Sequence, residues 1–257
     1  MYHRILLIGK GSREHVILEK IILSVCQKFE SINERKLQKI LQSLKIKIFT
    51  YNFNIRKLPN LHSVDLEHIP EIIHLKGHDT IEAIRDRCIE EKIDLVIASQ
   101  EKYLVAGLAD ILKEVKIRTD TGMDVEIACF GPSKAAAMIE ASKEYSKALM
   151  FEMGIPTADY KVFKLGQEEA CKQYLRENFD YNRNVIKVSG LASGKGVFLP
   201  KTLNEALGIV NDLMIEKTMG SVGNTLIIEE RLYGEEVSLM AFCNGNEAVL
   251  MQQAQDY

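Results

Sequence analysis

The chain has 257 residues, of which 46% are hydrophobic and 27% charged, as in a globular protein with one large domain or two ordinary ones. A net charge of −3 excludes general attraction to nucleic acid or to an anionic membrane, and no apolar run approaches the roughly 18 residues of a transmembrane helix. The five cysteines are odd in number and widely spaced, which argues against a disulfide framework or a zinc site and favours a reducing, cytoplasmic compartment.

Strand-like and helix-like segments alternate through the first half of the chain, which predicts an α/β domain with a doubly wound parallel sheet. The predicted strands are 4–8, 45–49, 71–75 and 94–99. The predicted helices lie near 13–28, 30–44, 79–92, 102–115 and 133–153. Pro132 and Ser133 start the last of these helices, and Gly154 with Pro156 ends it.

After Pro156 the pattern becomes a strand-rich mixture of the α+β kind, so we expect a domain boundary near 156 and a softer one near 225. The predicted strands of this part are 159–163, 184–190, 196–200, 225–230 and a strand region over 235–251. Its predicted helices are 166–178 and 202–217.

The first glycine loop is "LLIGKGSREH", which links the first strand to the first helix. Backbone N–H groups and the helix dipole favour an anion at such a position. The dinucleotide pattern Gly-x-Gly-x-x-Gly has Glu14 in place of its third glycine, so NAD and FAD are not expected. Arg13 adds a cation, which suits a monophosphate. The alternative is a tight turn without a ligand.

The second glycine loop is "VIKVSGLASGKGVFLP". It differs from a Walker A motif because three residues instead of four separate Gly190 from Gly194, and because Gly196 follows Lys195 where the magnesium-binding hydroxyl should be. Both flanks are strand-like, so we expect a glycine hairpin that closes over a triphosphate as a lid does. Lys187 lies inside the first of these strands, where it could hold a phosphate. An ordinary edge hairpin is the alternative.

Two further features carry charge. In "LIIEERLYGEEVSLM" a predicted strand is followed by two pairs of acidic residues. Glu236, in the second pair, could accept hydrogen bonds from the hydroxyls of a ribose. The alternative is a charged hairpin tip without a ligand. Lys143 and Lys147 are one turn apart on the helix 133–153, and taken alone they indicate a solvated helix face.

These stretches together resemble glycinamide ribonucleotide synthetase, or phosphoribosylamine–glycine ligase, a family of the ATP-grasp superfamily. The resemblance rests on "GKGSREH", "FGPSKAAAMIEASKEYSKALMFEMGIPTADY", "VIKVSGLASGKGV", "IIEERLYGEEVS" and "AQD", which occur in the family's order. It implies ATP-driven ligation of glycine to 5-phosphoribosylamine, with glycinamide ribonucleotide, ADP and phosphate as products. It also implies three parts: an N-terminal substrate domain (1–156), an ATP-grasp lid subdomain (157–225) and the incomplete beginning of the ATP-grasp core (226–257).

The resemblance also assigns roles to residues, although it identifies no catalytic residue. The implied ATP-binding residues are Lys143, Lys187, Gly190, Ser193, Gly194, Lys195, Gly196, Glu229, Glu230, Arg231, Leu232 and Glu236. The implied substrate-binding residues are Gly9, Gly11, Ser12, Arg13, Glu14 and Asp256. Mg²⁺ or Mn²⁺ is expected for the family, but the acidic strand that supplies its ligands is absent from this chain.

The chain departs from the family pattern on the substrate side. Ser12 stands in place of a second glycine, and Ser99, Gln100 and Tyr103 replace the glycine and both prolines of a "Gly-Pro-Glu-x-Pro-Leu" loop. The resemblance covers about three fifths of the family's length, so we expect a truncated form with impaired turnover. Two alternatives are a non-catalytic nucleotide-binding or interaction protein that retains the fold, and another ATP-grasp carboxylate–amine ligase.

Overall fold

The computed structural model describes residues 4–9, 11–27, 47–50, 71–74, 80–118, 122–192 and 194–255. The chain divides into two compact units, Met1–Ser146 and Lys147–Tyr257. This division lies before the boundary expected near 156. The predicted helix 30–44 lies outside the described residues.

The first unit is built on a parallel sheet of five strands in the order β3-β2-β1-β4-β7, which confirms the predicted fold class. The strands of the unit are β1 (Arg4–Ile8), β2 (Lys47–Thr50), β3 (Glu71–His74), β4 (Leu95–Ala98), β5 (Lys116–Arg118), β6 (Asp124–Glu126) and β7 (Ala128–Phe130). Its helices are α1 (Ser12–Gln27), α2 (Ile81–Glu90), α3 (Glu101–Ala106), α4 (Leu108–Lys113) and α5 (Lys134–Ala141).

The two central strands of this sheet position the first candidate site. Every residue of β1 from Ile5 to Ile8 is buried, as expected for a parallel strand covered on both faces. From β1 the strand order runs outward through β2 and β3 on one side and through β4 and β7 on the other. The carboxyl ends of β1 and β4 therefore flank the point where the order reverses, which is where open α/β sheets bind their ligands.

The second unit contains an antiparallel sheet in the order β10-β9-β11-β8. Its strands are β8 (Tyr160–Lys164), β9 (Asn184–Val188), β10 (Val197–Phe198), β11 (Thr225–Glu230), β12 (Ala241–Cys243) and β13 (Ala248–Leu250). The helices are α6 (Lys143–Glu152), which crosses the division between the units, α7 (Glu168–Asn178) and α8 (Leu203–Val210). A core that includes Phe163, Leu175, Ile186 and Val210 joins α7 and α8 to one face of the sheet.

Three of the predicted helices are shorter than expected or divided in two. The helix expected over 102–115 is two helices, because Gly107 takes a left-handed conformation (φ +103°) that ends α3 and precedes α4. The helix expected over 133–153 is broken at Ser142, whose backbone is extended and whose hydroxyl accepts a hydrogen bond from the Tyr145 N–H. The helix expected over 202–217 ends as a π-helical turn, Asn211–Ile215.

The last segment forms a hairpin of β12 and β13 rather than a longer strand region. Its apolar side chains are exposed, with Phe242 at 52%, Val249 at 65% and Leu250 at 67% of full exposure. An isolated antiparallel bridge joins Ser238 to Ala254. Across the described residues, none of the helices has both the length and the apolar character needed to cross a membrane.

Candidate functional site

The first glycine loop follows β1 and is organised around a buried carboxylate. Glu14 is 3% exposed, and its Oε2 accepts a hydrogen bond from the Gly11 N–H at 2.5 Å. The hydroxyl of Ser99, directly after β4, also contacts the Glu14 carboxylate and lies 3.0 Å from the Ile8 carbonyl oxygen. Glu14 therefore joins the ends of the two central strands at the point where the strand order reverses.

Arg13, the cation expected to suit a monophosphate, lies at the surface. Arg13 Nη1 is 3.0 Å from Glu101 Oε1, and the Arg13 side chain is 71% exposed. The backbone N–H of Glu101 at the start of α3, and then Arg13, hold the pKa of the Glu101 carboxyl below its usual value. Ser12, the first residue of α1, is also exposed. The predicted residues Gly9, Gly11, Ser12, Arg13 and Glu14 thus lie between the end of β1 and the first turn of α1, whereas Asp256 lies outside the described residues.

The second unit holds a buried group of opposite charges, the lysine–glutamate cluster of Lys147, Lys187 and Glu229. Lys187 Nζ lies 3.0 Å from Glu229 Oε2, and Lys147 Nζ lies 3.0 Å from Glu229 Oε1. Lys187 on β9 is paired with Ile227 on β11, so Glu229, two residues further on, shares its face of the sheet. The side chains of Lys147 and Glu229 are each 10% exposed, and that of Lys187 is 26% exposed.

Lys147 was not expected to be buried, because the helix pattern alone indicated a solvated face for it. Its ammonium group donates hydrogen bonds to Thr157 Oγ1 at 2.8 Å and to the Ala158 carbonyl at 3.0 Å, and it lies 5.4 Å from the centre of the Tyr160 ring. No local signal could reveal this, since Glu229 is distant in sequence. Lys143, the lysine that the resemblance favours, is the partly buried first residue of α6.

The second glycine loop is a hairpin between antiparallel strands, as predicted, and not a P-loop. Val197 on β10 pairs with Lys187, and the Val188 N–H donates to the Gly196 carbonyl at 2.9 Å. We call residues 190–196 the glycine hairpin. Gly194 has a left-handed backbone (φ +79°) with open space around it, and Lys195 is exposed. Gly190 lies two residues after the end of β9, and Ser193 lies outside the described residues.

The predicted adenine-binding segment begins at the end of β11. The Glu230 N–H donates to the Asp159 carbonyl at 2.8 Å, and the Arg231 N–H donates to the Arg183 carbonyl at 2.7 Å. Leu232 and Glu236 are exposed beyond this point. A cavity of about 350 Å³ opens beside the same strand end. Its lining residues include Lys161, Tyr174, Asn178, Asp180, Arg183 and Glu230.

Comparison with known proteins accounts for both units. The profile "Phosphoribosylglycinamide synthetase, N domain" matches residues 3–140, and the profile "Phosphoribosylglycinamide synthetase, ATP-grasp (A) domain" matches residues 141–257. The chain belongs to the phosphoribosylglycinamide synthetase family. The profiles meet at residue 140, six residues before the division of the two units (146 − 140).

Relatives within this family resemble the chain over its whole length. The Drosophila melanogaster "Trifunctional purine biosynthetic protein adenosine-3" is 35% identical over 100% of this chain and 16% of its own length. The "Phosphoribosylamine--glycine ligase" of Caldanaerobacter subterraneus is 33% identical over 99% of this chain and 51% of its own length. The chain thus spans about half of that ligase, somewhat less than the three fifths expected from the sequence.

A solved structure supports the fold. The phosphoribosylamine–glycine ligase of Thermotoga maritima aligns with 99% of this chain and 50% of its own chain, with a TM-score of 0.65 and 22% sequence identity. The fold is therefore that of an ATP-grasp ligase, with a parallel α/β unit followed by an antiparallel α+β unit.

Proposed function

We propose that the chain supplies the nucleotide-binding and phosphoribosylamine-binding parts of a cytoplasmic ATP-dependent ligase that joins glycine to 5-phosphoribosylamine. In the proposed reaction the glycine carboxylate attacks the γ-phosphorus of ATP, which forms glycyl phosphate and releases ADP. The amine of phosphoribosylamine then attacks the glycyl carbon and expels phosphate. The products are glycinamide ribonucleotide, ADP and phosphate.

The observation that carries this proposal is the position of Lys187 beside the glycine hairpin. Lys187 is the next-to-last residue of β9, three residues before Gly190, and the charges of the lysine–glutamate cluster sum to +1 if all three groups are ionised. Such a surplus stabilises the negative charge of a transferring phosphoryl group, and a hairpin that closes over it excludes water. We propose that Lys143 and Lys195 also bind phosphate groups of the nucleotide.

The remaining nucleotide contacts are proposed from the resemblance. Residues 229–232 would contact adenine through the backbone, and Glu236 would accept the ribose hydroxyls. Leu232 and Glu236 are exposed and therefore accessible to a nucleotide. The described residues contain no group of three or more carboxylate, thiol or imidazole side chains that could hold a metal ion, so they do not fit the expected Mg²⁺ or Mn²⁺ site and no step is assigned to a metal.

The first glycine loop is the proposed binding site for phosphoribosylamine. Arg13 and the backbone N–H groups of the first turn of α1 would bind the phosphate of the substrate, because Arg13 is a cation and the start of a helix carries partial positive charge. Glu14 is negative and buried, so its proposed role is to hold the loop rather than to contact the phosphate. Ser12 and Gly11 are exposed beside it and would form the wall of the pocket.

Calorimetric titration of the 257-residue chain with ADP tests the nucleotide proposal. We expect saturable binding that Lys187→Met weakens about tenfold, as the loss of a hydrogen bond to a charged group predicts. Lys201→Met is the control, because Lys201 is exposed and does not line the cavity beside β11. Unchanged affinity in Lys187→Met, or no ADP binding by the wild-type chain, would contradict the proposal. Titration with ribose 5-phosphate tests the second pocket separately.

A further inference from the structure

We propose that Lys147 is a positioning residue, which holds Glu229 in place and thereby leaves Lys187 available to a phosphate group. This inference rests on the proposed function, because the phosphate groups are those of the nucleotide. Lys147 and Lys187 thus have different roles, although both contact the same carboxylate.

The three ammonium hydrogens of Lys147 already have hydrogen-bond partners. Its ammonium group has three oxygen atoms within 3.0 Å, those of Thr157, Ala158 and Glu229, and it has three hydrogens to share among them. The residue is also buried. A phosphate oxygen could approach Lys147 only by displacing one of these partners, so direct phosphate binding is disfavoured.

Lys187 has the opposite surroundings. Within the part of the chain that the structure describes, Glu229 is the one polar side-chain partner of its ammonium group, at 3.0 Å. Its side chain is 26% exposed, against 10% for Lys147. An ammonium group with one oxygen partner and access to solvent retains donors for a phosphate.

Glu229 connects the two lysines because each of its oxygens faces a different one. Oε1 lies near Lys147 and Oε2 near Lys187, so the carboxylate is divided between them. If Lys147 were neutral, Glu229 would be buried with Lys187 as its remaining cation. A buried charge needs a partner, so both oxygens would then turn to Lys187 and compete with a phosphate for its hydrogens.

Amine labelling tests this without any nucleotide. The chain is treated briefly with acetic anhydride, and acetylation of Lys187 is measured by mass spectrometry with the exposed Lys195 as the internal reference. We expect Lys147→Met to slow the acetylation of Lys187 about fivefold, a factor that lies within the range of couplings between contacting charged residues. Lys147→Gln, which keeps hydrogen-bond donors, replaces it if the first variant does not fold. Lys201→Met, at an exposed position outside the lysine–glutamate cluster, is the control and should not change the acetylation of Lys187.

A double-mutant cycle with Glu229→Gln tests whether Lys147 acts on Lys187 through Glu229. Lys147→Met should slow acetylation of Lys187 and weaken ADP binding in the wild-type chain, yet change neither in the Glu229→Gln background. Equal losses of ADP affinity in both backgrounds would show that Lys147 acts on the phosphate directly, and unchanged acetylation in Lys147→Met and Lys147→Gln would likewise overturn the inference. Failure of the wild-type chain to bind ADP would contradict the proposed function, while the labelling result would still decide whether Lys147 positions Lys187.

Discussion

The side chain of Glu14 lies directly under the backbone of Gly9, in the space that a side chain at Gly9 would occupy. A Cβ atom at Gly9 would meet the Glu14 carboxyl group far inside van der Waals contact. Gly9 also has a backbone angle φ of +143°, which side chains disfavour. The glycine is therefore required for two independent reasons, the buried carboxylate and the backbone conformation.

Gly9→Ala is accordingly expected to lower the free energy of unfolding by more than about 3 kcal/mol, the upper range for a single strained residue, because overpacking adds to the strain. Gly154→Ala is a matched control. Gly154 also has a positive φ, +65°, but an added Cβ there meets nothing within 4 Å. Urea unfolding of both variants measures the difference. Equal losses of unfolding free energy in Gly9→Ala and Gly154→Ala would show that the Glu14 side chain can move away from the added methyl group at little cost.

Glu229→Gln is expected to destabilise the chain more than Lys147→Met does. The first variant leaves Lys147 and Lys187 without their shared carboxylate, and removal of one partner of a buried ion pair costs about 3–5 kcal/mol. The second variant leaves Glu229 paired with Lys187, so we expect a smaller loss. Urea unfolding monitored by circular dichroism gives both values. The reverse order would mean that the cluster is held by its lysines rather than by the carboxylate.

The buried thiols predict a fall in stability at alkaline pH. Burial raises the pKa of both Cys88 and Cys171 to about 12, whereas an unfolded thiol ionises near pH 8.5. Between these pH values the unfolded state binds fewer protons than the folded state, so each thiol lowers the free energy of unfolding by about 1.4 kcal/mol per pH unit. Urea unfolding at several pH values from 8 to 11 measures how steeply the free energy of unfolding falls with pH. In Cys171→Ala the fall should be smaller by the contribution of that one thiol.

The same thiols can be examined by chemical modification. At pH 8 we expect iodoacetamide to modify the exposed Cys243 quickly and the buried Cys88 and Cys171 only after unfolding in urea. Peptide mass spectrometry identifies each site. Rapid modification of Cys171 in the folded chain would show that the core beneath α7 opens easily.

Two glycine-to-alanine changes in the second unit should have opposite effects on stability. An added Cβ at Gly196 would collide with the side chains of Val188 and Ala192, so Gly196→Ala should destabilise the glycine hairpin. Gly208 lies within α8, and an added Cβ there meets nothing within 4 Å, so Gly208→Ala should stabilise the chain by about 0.5–1 kcal/mol. Thermal unfolding compares the two. A loss of stability in Gly208→Ala would contradict the assignment of this helix position as open.

The sequence predicted those features that depend on neighbouring residues. The apolar run of β1 and the glycines after it located the first loop, and strands on both sides of Gly190–Gly196 identified a hairpin. The strands β5, β6 and β7 were missed because three residues are too few to show a period. The contacts of Glu14 with Ser99 and of Lys147 with Glu229 were also missed, since each joins residues that are distant along the chain.

The position of Lys147 has a consequence for experiments that dissect the chain. It is the first residue of the second unit, yet it lies in the middle of the continuous helix α6. A fragment that begins at 157, the start of the predicted lid, would retain Lys187 and Glu229 without the cation that shares their carboxylate. Gene segments for the isolated second unit should therefore begin before Lys143, so that the whole helix is expressed with the sheet to which Lys147 is bound.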